Sequence, residues 1–283
     1  MKLRVLHRTE YLYHPAVRSN TNALHLEPRD FQYQTTLSAF LRILPTVRLK
    51  SYADLFQNRT HHFEVEDPHT RLVIESRITV ATRALEIPAE VRELSLQALP
   101  GKLQDDFLHQ FLQPSTYVDA GPEIWRQAID LREDRGTTTV FQAAEDLMRF
   151  IYKNFEYQSG ATNVHTRMTE VLEGRAGVCQ DFAHVFIGLA RALQIPARYA
   201  SGYLYNGERG TLRGAQASHA WAEVFLPGLG WLGFDPTNNT LADERYVKVA
   251  IGRDYDDVAP IKGGFRGGHS REMKIKVLVE KAP

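Results

Sequence analysis

The hydrophobic period changes once along this 283-residue chain, and that change limits what it can fold into. In the first part apolar residues alternate with polar ones. Leu3, Val5, Tyr11 and Tyr13 alternate with Lys2, Arg4, Arg8 and Glu10. Leu37, Ala39, Leu41, Ile43, Val47 and Leu49 repeat the pattern, as do Leu72, Ile74, Ile78 and Val80 against Arg71, Glu75, Arg77 and Arg83. Period 2 is the signature of a strand with one covered face. Asp54, Gln57 and Asn58 supply turn chemistry between such runs. Residues 1–84 therefore predict an antiparallel β-sandwich.

The period then becomes helical. Leu103, Phe107, Leu108 and Phe111 are spaced for one helix face inside a connecting segment, 85–118. Pro122 suits the first turn of a helix carrying Ile124, Trp125, Ala128 and Leu131. Thr137 to Thr139 can cap the next helix, whose buried side holds Val140, Phe141, Ala144, Leu147, Met148 and Ile151. Residues 119–283 read as a second unit, giving an α+β chain. Its GGFRGG run, Gly263 to Gly268, reads as a loop before a last strand through Met273, Ile275, Val277 and Val279.

Composition narrows the function. Hydrophobic residues make up 43% of the chain, enough for a real core. Basic and acidic residues balance at 34 each, so no excess positive field exists to hold phosphates or a membrane surface. No apolar run approaches the ~20 residues a bilayer span needs, and the N-terminus lacks the apolar stretch of a secretory signal. One cysteine excludes an internal disulfide and suits a reducing, cytoplasmic setting. His61, His62, His165 and His184 have no cysteine partner at metal-ligand spacing. No structural zinc, no other metal and no cofactor is expected. Asp254, Asp256 and Asp257 read as a solvated acidic loop rather than a calcium site.

Two segments carry chemistry. After Cys179, the apolar positions Phe182, Ala183, Phe186, Ala190 and Leu193 recur at helical spacing, while Gly174 and Gly177 lie just upstream. Cys179 thus sits at a helix start, where the macrodipole and free N–H groups favour a thiolate and can receive an oxyanion. Asp181 reads as a first-turn structural acid. In the second segment His219, Trp221, Glu223 and Phe225 alternate with Ala220, Ala222, Val224 and Leu226; PGLG turns the chain, and Trp231 to Asp235 runs back. In this hairpin His219 can act as base and Asp235 can orient it. Register sets a condition. A four-residue loop pairs Ala222 with Asp235 and puts Asp235 on the face opposite His219. A five-residue loop closed by Phe225 and Trp231, or a bulge, returns both to one face.

The segments GVCQDFAHVFIGLARALQIPARYASGY and SHAWAEVFLPGLGWLGFDPTNN resemble the transglutaminase-like core of bacterial cysteine proteases, over about residues 140 to 245. The N-terminal half resembles the β domain that precedes this core in many bacterial members. The resemblance implies a papain-like fold, with the cysteine helix packed on an antiparallel sheet. It implies Cys179 as nucleophile, His219 as base and Asp235 as orienting acid. Unlike the animal crosslinking enzymes, Gln180 rather than tryptophan follows the nucleophile. Tyr157 and Gln180 are candidates for a second oxyanion donor, and GERGTLRGAQ, Gly207 to Gln216, can rim the site. The expected activity is hydrolysis of amide or peptide bonds in a protein or peptide through a cysteine thioester. Transfer to an amine, or a non-catalytic protein-binding scaffold, are the alternatives, and acetyl transfer from coenzyme A ranks below them.

Overall fold

Alternation in the first part of the chain becomes six strands in the computed structural model, which describes residues 1–207, 210–214, 218–268 and 270–282. These are β1 (Lys2–Val17), β2 (Ser19–Leu24), β3 (Gln34–Leu44), β4 (Lys50–Ala53), β5 (Arg59–Val65) and β6 (His69–Thr82). A one-turn helix α1 (Ala89–Arg92) and three short 3₁₀ helices lead to α2 (Pro122–Arg135) and α3 (Val140–Asn154). Then come β7 (Glu156–Tyr157), α4 (Met168–Gly174), β8 (Ala176–Gly177), α5 (Cys179–Ala192), β9 (Ala197–Leu204), β10 (His219–Leu226), β11 (Gly230–Asp235), β12 (Thr240–Leu241) and β13 (Tyr246–Gly252). The chain ends with α6 (Tyr255–Val258), β14 (Ile261–Arg266) and β15 (Ser270–Lys281). Two antiparallel sheets, ordered β15-β1-β6-β3 and β14-β2-β5-β4, form the sandwich; β12-β11-β10-β9-β13 forms the sheet of the papain-like core. Among the described residues no helix is long and apolar enough to cross a membrane.

The sequence reading assigns all of 119–283 to the second unit, but strand pairing returns its last two strands to the sandwich. β15 runs antiparallel to β1 from Leu3 opposite Lys281 to His14 opposite Ser270, and β14 pairs with β2. The alternation of β15 is visible in the sequence; its partner, more than 250 residues away, is not. GGFRGG is mostly strand rather than loop. At Gly263 a Cβ would lie 2.1 Å from the Thr21 carbonyl oxygen, so glycine is what lets β14 approach β2.

Other local expectations shift for similar reasons. A bulge between Thr36 and Ser38 leaves Leu37 unpaired and 52% exposed, while Ala39, Leu41 and Ile43 keep to the inner face. Val47 and Leu49 lie beyond the strand, packed against the sandwich core. The 85–118 segment holds no long α-helix. Its last 3₁₀ helix, Asp106–Phe111, has three residues per turn, so Leu108 and Phe111 are buried together and Phe107 turns outward. In α2, Pro122 opens the helix and Ile124 and Ala128 are buried, but Trp125 is exposed. Thr139 caps α3 as expected, its hydroxyl accepting from the Gln142 N–H at 3.2 Å.

α5 is the axis of the core. It lies between β9 and β10 on one side and α2, α3 and α4 on the other. Its residues from Phe182 to Arg191 are all buried. Arg191, in its last turn, donates to the carbonyls of Ala197, Gln113 and Arg253. Burial pulls its pKa down to about 10. The sandwich meets this core along β13, the outer strand of the core sheet. Two side-chain amides pair with its backbone as a strand would: Gln34 with Lys248 N and O, both at 2.8 Å, and Asn58 with Ile251 N and O at 2.9 and 2.7 Å. Leu3, Val5, Ile78 and Val80 pack there against Tyr203, Val247 and Val249.

Asn58 has no exposed surface, so Asn58→Ala would orphan both Ile251 groups. It should lower stability by about 3 kcal/mol, the cost of unpaired buried polar groups. Urea unfolding checks this; a loss below about 1 kcal/mol would mean the junction does not hold the sheet edge.

Candidate active site

The three residues singled out from the sequence come from three element ends. Cys179 is the first residue of α5, His219 the first of β10 and Asp235 the last of β11. At the start of α5, Asp181 accepts from the Val178 N–H at 2.7 Å and from the Thr162 hydroxyl at 2.6 Å, the structural role expected of it. The hairpin register is the one that brings His219 and Asp235 to one face. Phe225 lies opposite Trp231 and Leu226 opposite Gly230, and the ladder continues to Ala222 opposite Phe234. Trp221 is next in line with Asp235, and side-chain alternation puts His219 on the same face as both.

The result is a buried pair. His219 Nε2 lies 2.8 Å from Asp235 Oδ2, and both side chains have zero exposure. Asp235 accepts four more hydrogen bonds: from the Tyr246 hydroxyl, the Asn238 side-chain amide, and the backbone N–H groups of Thr237 and Asn238. Burial alone would raise its pKa, yet His219 and these donors hold it below the ordinary carboxylate value. Burial likewise disfavours a charged His219, but Asp235 and the neighbouring Cys179 outweigh that and push it up to about 10. His219 is therefore an imidazolium at neutral pH. Its other nitrogen, Nδ1, is buried and has no hydrogen-bond partner among the described residues.

Cys179 and His219 line one cavity of about 690 Å³. Tyr157 lies in its wall, and burial followed by the charge of Cys179 pushes its pKa up to about 12, so the hydroxyl stays a donor. Gly214, at φ +75°, crosses close to the histidine. A Cβ there would lie 2.8 Å from His219 Nδ1 and 3.6 Å from the Tyr157 hydroxyl, so a side chain would fill the space beside the base. The Gln180 amide is engaged elsewhere, donating to the Val164 carbonyl at 3.3 Å. The GERGTLRGAQ run lies partly outside the described residues; Leu212, Arg213 and Gly214 do reach the cavity. The acidic run is not a solvated loop but opens α6: buried Asp254 accepts from the Tyr117 and Asp256 N–H groups, Asp256 pairs with Lys262, and Asp257 pairs with Arg253. His184 is buried in α5, held down to about 3 by burial and accepting from the Tyr255 N–H.

Sequence reasoning missed several contributors. Asn238 had a faint signal, three residues after Asp235 in a turn-rich DPTNN run. Tyr246 had none, since β13 reaches Asp235 from across the sheet. Nor did His7, Thr9, Tyr11, Met273 and Ile275, which bring the sandwich into the cavity wall.

Comparisons with known proteins bear on the fold and the family. Residues 3–81 match the bacterial transglutaminase-like N-terminal region and residues 128–236 the transglutaminase-like superfamily core. An uncharacterized protein of Mycobacterium tuberculosis is 36% identical over 298 residues, covering 100% of this chain and 93% of that one. A solved structure from Cytophaga hutchinsonii, described as a "putative cysteine protease", is 25% identical, with a TM-score of 0.81, and covers 100% of this chain and 92% of that one. A protein-glutamine gamma-glutamyltransferase of Pseudomonas aeruginosa is 33% identical over 154 residues, which is 50% of this chain and 22% of that protein. The chain belongs to the transglutaminase-like superfamily, in the bacterial group that carries this N-terminal region.

The raised His219 sets a pH signature. Its ordinary value is 6.5, so its contribution to stability is complete below pH 6.5 and is lost as pH rises toward about 10. Asp235, shifted down from 3.8, contributes above that value and loses its share on acidification. The stability difference between wild type and His219→Gln should therefore be greatest between these limits and shrink steadily from pH 6.5 to 10. Urea unfolding across that range checks it. A difference that stays flat would mean His219 is neutral in the fold.

Proposed function

We propose that Cys179, His219 and Asp235 form a catalytic triad that hydrolyses amide or peptide bonds in a protein or peptide substrate through a cysteine thioester. The observation that carries this reading is His219 itself: fixed by Asp235 through Nε2, with Nδ1 unpartnered beside the cavity that also holds Cys179. The protein needs no cofactor or metal in this scheme, and a lone cysteine that must remain a thiol suits the cytoplasm.

The proton of the Cys179–His219 pair resides on the imidazolium, and the Cys179 thiolate attacks the carbonyl carbon. Negative charge develops on the carbonyl oxygen, where backbone N–H groups at the start of α5 and the Tyr157 hydroxyl are its donors. The C–N bond breaks as His219 returns the proton to the leaving amine, leaving a thioester. Water then attacks the thioester with the now neutral His219 as base; the acid departs and the thiolate–imidazolium pair is restored. Asp235 keeps the imidazole in one orientation and balances its charge throughout.

Hydrolysis is supported by the likeness to the Cytophaga structure over the whole chain. An amine in place of water would make the same thioester a transfer intermediate, a second reading that the Pseudomonas gamma-glutamyltransferase supports over half the chain. Mass spectrometry on one peptide set, with and without a primary amine, separates them. Hydrolysed product that persists with amine present supports hydrolysis; amine adducts replacing it overturn that choice.

Cys179→Ala should abolish turnover with the fold retained by circular dichroism. His219→Ala follows in severity, then Asp235→Asn, with a loss of up to about 10⁴ in kcat/KM. Tyr157→Phe should lower kcat by about 10²-fold with KM little changed. If Asp235→Asn stays near wild type, Asp235 is only a strand-end residue and the triad reduces to a dyad.

A further inference from the structure

The cavity at Cys179 is walled by two units, and the walls differ in chemistry. One part of the lining is polar and uncharged: Tyr199 and Ser201 from β9, and His7 from β1. His7 is buried and held down to about 4, so it is neutral; its ring nitrogens meet the Tyr203 hydroxyl at 2.8 Å and the Thr9 hydroxyl at 3.0 Å. An apolar stretch of the lining comes from the sandwich. Tyr11 lies opposite Met273, and Thr9 opposite Ile275, in the β1–β15 ladder. Met273 and Ile275 are 48% and 51% exposed, although the sandwich's own core lies a few residues away on the same sheet. Arg213, itself exposed, is the only charged side chain besides His219 among the described residues lining this cavity.

We infer that the sandwich wall is a specificity site, in which Tyr11, Met273 and Ile275 take a large apolar side chain flanking the reacting amide of the substrate. This rests on the proposed peptide chemistry and deepens it by naming the substrate class: a neutral amide beside a bulky apolar residue. Continuity selects the occupant. The apolar wall and the thiol share one cavity, so a chain whose carbonyl reaches Cys179 has β15 within the same enclosure for a flanking side chain. Burying such a side chain removes both its surface and that of Met273 and Ile275 from water. A cationic flanking group would meet no counter-charge on this wall, where the Arg271 guanidinium stacks over the Tyr11 ring at 5.1 Å, and would lose its hydration.

The test uses peptides that share a central glutamine and differ in its neighbours: Leu, Met or Phe against Gly or Lys. Wild type should favour the apolar set by about tenfold or more in kcat/KM. The double variant Met273→Glu with Ile275→Glu should lose that preference, mainly through KM. Leu278→Glu is the control, since Leu278 is 42% exposed on the same strand but outside the cavity lining. Because both sites are exposed, the double variant should fold, which circular dichroism verifies. Fluorescence-polarisation binding of the same peptides to Cys179→Ala reads the preference without turnover. Equal activity on all peptides, or a preference that survives the double variant, overturns the specificity site and leaves the triad reading intact. Selective binding without any turnover in wild type supports the wall and overturns the catalytic reading. Neither binding nor turnover overturns both.

Discussion

The Asp235 carboxylate is charged and wholly removed from solvent, and much of the core is arranged around keeping it so. An ion buried without partners costs several kcal/mol. Five donors from three sources answer that cost here: the imidazolium at the start of β10, the turn that follows β11, and the Tyr246 hydroxyl from β13. Each constrains the backbone that carries it. The hairpin must close in the register that puts His219 beside Asp235. The chain after Asp235 must turn at once, so that Thr237 and Asn238 can point their N–H groups back. Asn238 also accepts from the Arg213 N–H and donates to its carbonyl, which ties the segment crossing the histidine to the same carboxylate.

A second constraint comes from the inner face of the sheet β15-β1-β6-β3. One end of that face, Leu3, Val5, Ile78 and Val80, covers the core sheet; the other, Tyr11, Tyr13, Leu72 and Ile74, covers the second sheet of the sandwich. Between the two lie His7 and Thr9, and there the face opens onto the cavity of Cys179. One sheet thus serves as half a sandwich, as a domain contact and as a wall of the candidate site. The first and last strands of the chain lie side by side at that wall.

What the sequence reveals here follows how local the governing physics is. Period 2 in Leu3 to Tyr13, the helix-opening Pro122, the Thr139 cap and the helix start at Cys179 are written within a few residues and can be read directly. His219 and Asp235 are legible as hairpin ends, but their facing depended on whether Trp231 pairs with Phe225 or with Leu226, which the residue pattern left open. Long-range pairing is not legible. The partner of β15 and the reach of Tyr246 across the sheet are set by tertiary packing, and the local pattern carries no trace of them. Leu37 misleads because a one-residue bulge reverses the facing that strict alternation predicts.

Gln34 and Asn58 give the papain-like unit a finished border. Amide side chains from the sandwich occupy the N–H and C=O groups that β13 would otherwise present to solvent at its outer edge. In effect the core sheet borrows two rungs of a sixth strand without containing one. The two units are thus chemically incomplete apart. A core expressed without its partner would carry a bare strand edge, a ready template for pairing with its own copies, and its first failure would be self-association rather than loss of the triad. The sandwich therefore covers an edge of the core sheet as well as lining the cavity.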